Sequence, residues 1–433
     1  MTAPYQTRVG RRPWRRILLL AVLAALLATL FTVGPPGPPT TLAPAPVLSG
    51  LERAGRVSLA RDCGYSAPLP ANPRRSLWLF CDTPVWVRQT ASGHVTWALK
   101  RFIPGSTAAV GRAVVGSSPA YRVPGQLGEV GSPAPNASGA GARPAAGGAP
   151  APGGGPARGS GPASGGPAPF LPAPAGLVTS AGLPCGSGGG SYAASWASGI
   201  TRIPAAPDLL IAFNNYCVLG GAGGLVPEGF GLAEYDPATG TLSNDVTVFS
   251  GMKPGSVAAK LLGSPVFSGG YLYLFGPTCT ALAHGGCATG TLFEARVPAN
   301  PLAWTDPLSY QWQSRGTFGS WTPDAAAATS IITGARPSAV SVADFPAAGR
   351  HFVLVEQTDI SGAFTVYESP APAGTWKWIT SGRVPCRLGA GYLNFCRAII
   401  AHPELSTSTQ LVLSYFDPAA GARGHVMVAG FHW

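Results

Sequence analysis

The chain is poor in ionisable side chains: 11% of its 433 residues are Asp, Glu, Lys or Arg, and only 18 are carboxylates. It also lacks the patterns on which several chemistries depend. No Cys-x-x-Cys is present, and the six histidines stand apart from cysteine except His284, near Cys279 and Cys287, which argues against a structural zinc site. No Gly-x-Ser-x-Gly marks a nucleophilic serine. The glycine-rich stretch 220–224 has neither the lysine nor the strand-to-helix setting of a phosphate loop. The formal charge of +11 suggests nucleic acid at first sight, but Arg8, Arg11, Arg12, Arg15 and Arg16 precede the first apolar segment. Without these five, 24 basic residues face 18 acidic ones, a balance of +6 spread without a Lys/Arg run, so no nucleic-acid partner is expected.

What is abundant is turn chemistry. With 59 Gly and 45 Pro among short aromatic and aliphatic runs, the composition argues for β structure and against an all-α fold. Residues 1–16 form a short basic tail, expected to be cytoplasmic, and 17–33 an uncharged apolar segment behind the arginines. The first Ala-x-Ala, Ala43 to Ala45, is followed by Pro46, which hinders cleavage. The expectation is a single-pass membrane anchor with the rest of the chain extracytoplasmic, or a secreted protein if the segment is removed. Residues 34–55 read as a stiff Pro-rich spacer. Residues 132–176, rich in Gly, Ala, Pro and Ser and without a carboxylate, read as a disordered insertion.

Eight cysteines suit an oxidising compartment and fall in four close couples: Cys63/Cys81, Cys185/Cys217, Cys279/Cys287 and Cys386/Cys396. Sequential pairing is the simplest of 105 connectivities. Strand-rich units recur at 57–100, 192–249, 262–297, 335–378 and 398–433, each with an apolar run such as Leu77-Trp-Leu-Phe80 or Tyr271-Leu-Tyr-Leu-Phe275. Residues 56–433 are therefore expected to form one all-β, five-bladed β-propeller, interrupted by the insertion.

Near the start stand Asp62-Cys-Gly-Tyr-Ser66 and Leu77-Trp-Leu-Phe-Cys-Asp82-Thr83; near the end stand His402-Pro-Glu-Leu-Ser406 and Leu411-Val-Leu-Ser-Tyr415. In this order they resemble an actinobacterial five-bladed propeller family of formerly unknown function, related to furanosidase and endo-arabinanase propellers. Cys81 stands where that family has a Gly before the Asp-Thr pair. In such propellers a first-blade Asp acts as base and a Glu from a later blade as acid. Carried over, the resemblance makes Asp62 or Asp82 the base and Glu404 or Glu356 the acid, with Asp344 a further competitor. The plainer alternative is that Asp82 and Glu404 cap turns.

His402 is a candidate for holding a carboxylate or binding sugar hydroxyls, and Trp78, Trp86, Trp196 and Tyr392 for stacking on sugar faces. No metal or cofactor is expected; a calcium ion in the central channel is compatible with the fold, although no residue pattern requires it. Two functions follow as expectations. One is hydrolysis of a furanoside, arabinan-type cell-envelope polysaccharide by a membrane-anchored monomer. The other is binding of glycan or an envelope protein without catalysis.

Overall fold

The computed structural model describes residues 39–433 except 116–120, 136–165, 174–176, 178–184, 187–190, 220–223, 251–260, 284–285, 315–319, 389–394 and 422. The apolar segment 17–33 lies outside the described residues. Among the described residues no helix is long and apolar enough to cross a membrane.

The fold is mostly β, in five successive, mainly antiparallel sheets and one smaller one. The first four strands of sheet 1 are Cys63–Leu69, Asn72–Phe80, Thr107–Val115 and Arg122–Pro124, and sheet 2 starts with Tyr192–Arg202 and Leu209–Val218. Sheet 3 starts with Gly263–Ser268 and Tyr271–Ala283, sheet 4 with Ala339–Asp344 and Phe352–Gln357, and sheet 5 with Arg397–Ala401 and Gln410–Asp417. The first strand of each sheet packs against the first strand of the next, and that of sheet 5 returns to that of sheet 1.

The second strands explain why the ring closes. Side chains on a strand alternate between its faces, and here both faces are apolar. Leu77 and Leu79 point into a core shared with Leu209 and Ile211 of sheet 2, whereas Trp78 and Phe80 point into one shared with Val412 and Val428 of sheet 5. Leu210 and Ala212 meet Leu272 and Leu274 of sheet 3; Phe275 meets Leu354 of sheet 4; Val353 and Val355 meet Leu411 and Leu413 of sheet 5. Each sheet thus buries one face against each neighbour, so no single sheet has a core of its own. The same geometry accounts for the unbroken apolar runs in the sequence, since Leu77 to Phe80 and the whole of Gln410–Asp417 are buried.

Three expectations about organisation change. The first unit does not extend through 57–100: residues 83–103 leave sheet 1 as the hairpin Thr83–Ala91 and His94–Ile103, joined by Val57–Leu59 in a separate three-stranded sheet. Sheet 1 is completed by Thr107–Val115 and the strands beyond it. The end of the spacer is not a free stalk either. Ala45–Pro46 pairs with His425–His432 on the outer edge of sheet 5, where a proline needs no ladder partner for its nitrogen, and Val47 is buried. The first and last described strands therefore meet in one sheet. Finally, the described ends of 132–176 are ordered parts of the fold: Ala134–Pro135 pairs with Thr241–Ser250, and Phe170 and Leu171 lie in the core between sheets 1 and 2.

Candidate active site at the upper rim

All five first strands line the central axis, and the end at which they begin is here called the upper rim. The four disulfides expected from cysteine spacing all form, Cys63–Cys81, Cys185–Cys217, Cys279–Cys287 and Cys386–Cys396. All four lie at the upper rim, because each joins a residue at or before the start of a first strand, or within the hairpin at that end. Cys63–Cys81 joins the two residues that stand next to Asp62 and Asp82.

Asp62 immediately precedes the first strand of sheet 1, and Asp82 follows the second strand one residue after its disulfide cysteine. A bulge sets the direction of Asp62: the register slips between Cys63 and Tyr65, Cys63 adopts φ 62°, and Gly64 adopts φ 129°. A side chain at Gly64 would meet Val426 Cγ1 at 3.0 Å and Ser414 Oγ at 3.2 Å, so sheets 1 and 5 approach each other closely there. Beside it Arg61 is buried, ion-paired with Glu129 and stacked on Phe80 at 4.4 Å, which pins the backbone leading into Asp62.

Asp62 Oδ2 accepts from Arg397, at 2.8 Å from Nε and 2.7 Å from the terminal nitrogen. That guanidinium lies over the Phe416 ring at 4.1 Å and the Phe395 ring at 4.7 Å. Asp62 Oδ1 has Cys63 Sγ at 3.9 Å, a disulfide sulfur without a proton to give, so this oxygen is open among the described residues.

Asp82 is cradled by donors from two neighbouring elements. Its Oδ1 accepts from Gly105 N and Trp196 Nε1, each at 2.8 Å, and its Oδ2 accepts from the Tyr192 hydroxyl. Burial and the nearby Asp62 charge push Asp82 up to about 6, against the three donors that favour the carboxylate. Tyr192 is itself pushed well above its ordinary value by burial and by the Asp82 charge, so its hydroxyl keeps its proton.

The other candidates lie elsewhere. Glu404 follows the last first strand rather than preceding it, and hydrogen-bonds Ser66, four residues down the strand from Asp62, a span of roughly 13 Å. It is buried, yet the hydrogen bonds and charge of His402, 3.7 Å away, and of Ser66 outweigh burial and hold it below the usual carboxylate range. Glu404 therefore neither faces Asp62 nor stores a proton. Glu404 and Asp344 line a cavity of about 620 Å³ at the lower end, walled by all five first strands. Burial raises Asp344 there. Glu356 is buried between sheets 3 and 4, raised by burial, and bound to Arg336 N at 2.5 Å and the Tyr367 hydroxyl at 3.2 Å.

Among the described aromatic candidates only Trp196 reaches the carboxylates. Trp78 is 1% exposed and stacks on His402 at 4.7 Å; His402 is fully buried against Ser66 at 2.6 Å. Neither is open to a sugar, because both serve the core between sheets 1 and 5. Trp86 lies on the hairpin beneath Arg423, and Tyr392 is outside the described residues. Arg397 and Tyr192 were missed by sequence reasoning. The available signal was position: Tyr192 opens one strand-rich unit, and Arg397 stands between Cys396 and the start of another.

No family model matches the chain, and no curated protein matches it. Among solved structures it is similar to a family 117 glycoside hydrolase from Zobellia galactanivorans, with 7% identity, 91% of this chain and 90% of that one covered, and a TM-score of 0.40. It is similar to the GH43 subfamily 1 enzyme from Xanthomonas citri, with 12% identity, 89% of each chain covered and a TM-score of 0.40. It is also similar to an α-L-arabinofuranosidase from Fusarium graminearum, with 9% identity, 90% and 98% covered, and a TM-score of 0.36.

Proposed function

We propose that the chain is a five-bladed β-propeller glycoside hydrolase that cleaves furanoside polysaccharide at the upper rim. The observation that carries this reading is the contrast between two neighbouring carboxyls: Asp62 is ion-paired with an open oxygen, and Asp82 is raised to about 6. Glycosidic hydrolysis needs one group to protonate the leaving oxygen and another to activate water or attack the anomeric carbon. Asp82 is the acid. Gly105 and Trp196 occupy its Oδ1, while Oδ2 keeps room for a proton beside the Tyr192 hydroxyl. Asp62 is the base or nucleophile through Oδ1. Trp196 offers a ring face within the same site. The four disulfides suit an extracytoplasmic location, with residues 17–33 as the anchor and envelope polysaccharide as substrate.

Asp62→Asn and Asp82→Asn test this reading on a linear arabinofuranose polymer. Each is expected to keep the fold and lower hydrolysis by about 10² to 10⁴-fold, the usual contribution of an acid or base. A second reading, binding without cleavage, draws on the three donors already engaged by Asp82. Wild-type protein that retains the polymer but releases no reducing ends would establish it.

A further inference from the structure

The hairpin that leaves sheet 1 between Asp82 and Gly105 has two unlike faces. In an antiparallel pair, opposite residues share a face. Val85 pairs with Arg101, a bulge absorbs Lys100, and Trp86 then pairs with Leu99. One face therefore carries Val87 with Ala98, Gln89 with Thr96 and Ala91 with His94. The other carries Pro84 with Phe102, Trp86 with Leu99, Arg88 with Trp97 and Thr90 with Val95. Aromatic and large aliphatic side chains thus gather on one face, where Leu99 is 51% and Val95 49% exposed.

That face is continuous with the candidate site. At its base the Phe102 ring meets the Tyr192 ring edge-on at 5.2 Å, and the Tyr192 hydroxyl donates to Asp82. On its other side Arg423, from the sheet 5 loop at the upper rim, lies 4.5 Å over Trp86. The hairpin contains no carboxylate, and Arg88 and Arg423 supply donors next to the rings. A row of rings flanked by guanidinium donors matches a sugar chain, which offers apolar C–H faces and hydroxyl edges in alternation.

We propose that this face is an extended binding platform for the part of a linear furanoside polymer that runs outward from the bond held at Asp62 and Asp82. The inference rests on the function proposed above and adds that the protein prefers long chains to short ones. From Phe102 to Val95 the strand offers roughly 20 Å of track, enough for several sugars.

Affinity is measured with a linear arabinofuranose polymer and with its disaccharide, on wild-type protein and on Trp97→Ala/Leu99→Ala. The variant is expected to bind the polymer about tenfold more weakly, the cost typical of truncating a contact aromatic, and the disaccharide less than about twofold more weakly. Trp97→Phe should keep the polymer affinity, and Gln89→Ala, on the opposite face, should match wild type. Polymer affinity unchanged in the double variant overturns the platform, whether or not the protein cleaves the polymer. Platform-dependent binding without cleavage supports the platform and sinks only the hydrolase reading. If the double variant instead loses affinity for vesicles of phosphatidylcholine and phosphatidylglycerol while polymer binding persists, the face is a membrane contact and the inference fails.

Discussion

Arg397 opens the first strand of the last sheet and closes an ion pair on Asp62, 335 positions earlier at the opening of sheet 1. The pair ties the seam of the ring to the candidate site. Both side chains are largely buried, at 21% and 19% exposed. Arg397→Gln leaves the Asp62 carboxylate without its charged partner and is expected to cost about 1 to 3 kcal/mol of stability, read as a drop in Tm. The same change frees the Asp62 carboxyl to rotate, and hydrolysis of an arabinofuranose polymer should fall at least about tenfold, since positioning contributes strongly to rate. A variant with wild-type turnover would remove Asp62 from the chemistry.

The pH profile tests Asp82. An acid must carry its proton, and Asp82 loses it as pH rises through about 6. The rate should therefore decline about tenfold per pH unit above that point. Tyr192 and Trp196 donate to Asp82 and so favour its ionised form. Tyr192→Phe removes one such donor, and the alkaline limb should move to higher pH. A downward shift would mean that Asp82 is not the group that titrates.

Local chemistry is legible in this sequence, whereas strand direction is not. Cysteines close in sequence paired as spacing suggested, and apolar runs such as Leu77 to Phe80 became second strands buried on both faces. Asp62 and Asp82 came together because a strand pair and a disulfide link them. Glu404 is a candidate acid through the resemblance to furanosidase propellers, which carries no information on strand direction. Glu404 follows its strand, whereas Asp62 precedes its own, and the first strands all begin at the same rim. Proximity to a strand in sequence does not say at which end of the channel a residue emerges. The alternation of 83–103 resembles that of any half-buried strand, and only its pairing shows that this hairpin leaves sheet 1.

The low-complexity tract divides into parts with opposite expectations. Replacing 136–165 by a short Gly/Ser linker should leave Tm within about 2 °C of wild type, because its composition supplies no large apolar side chain to a core. Phe170→Ala should instead cost about 3 to 5 kcal/mol in chemical denaturation, as for other fully buried phenylalanines. Phe170 is 0% exposed and its ring meets Tyr235 at 4.9 Å, while its backbone nitrogen donates to Ser106 O at 2.7 Å. Equal tolerance of both changes would show that 166–173 is not held between sheets 1 and 2.

Glu294 contributes a pH dependence to stability. It lies on the same strand face as Leu292, in the core between sheets 3 and 4, is 1% exposed, and neither carboxyl oxygen has a hydrogen-bond partner among the described residues. Burial pushes it up to about 8, with Arg296 opposing. The folded chain thus holds a proton that the unfolded chain releases at about 4.5. Its contribution to stability is complete below 4.5 and is lost as pH rises towards 8, since the folded state binds more protons across that window. Glu294→Leu removes the titrating group and keeps an apolar volume. The variant should be more stable than wild type at pH 8, by on the order of 3 kcal/mol, with the difference shrinking towards pH 5. Urea denaturation at both pH values measures it, and a variant that loses stability equally at pH 5 and pH 8 would mean that Glu294 holds an unseen partner rather than a proton.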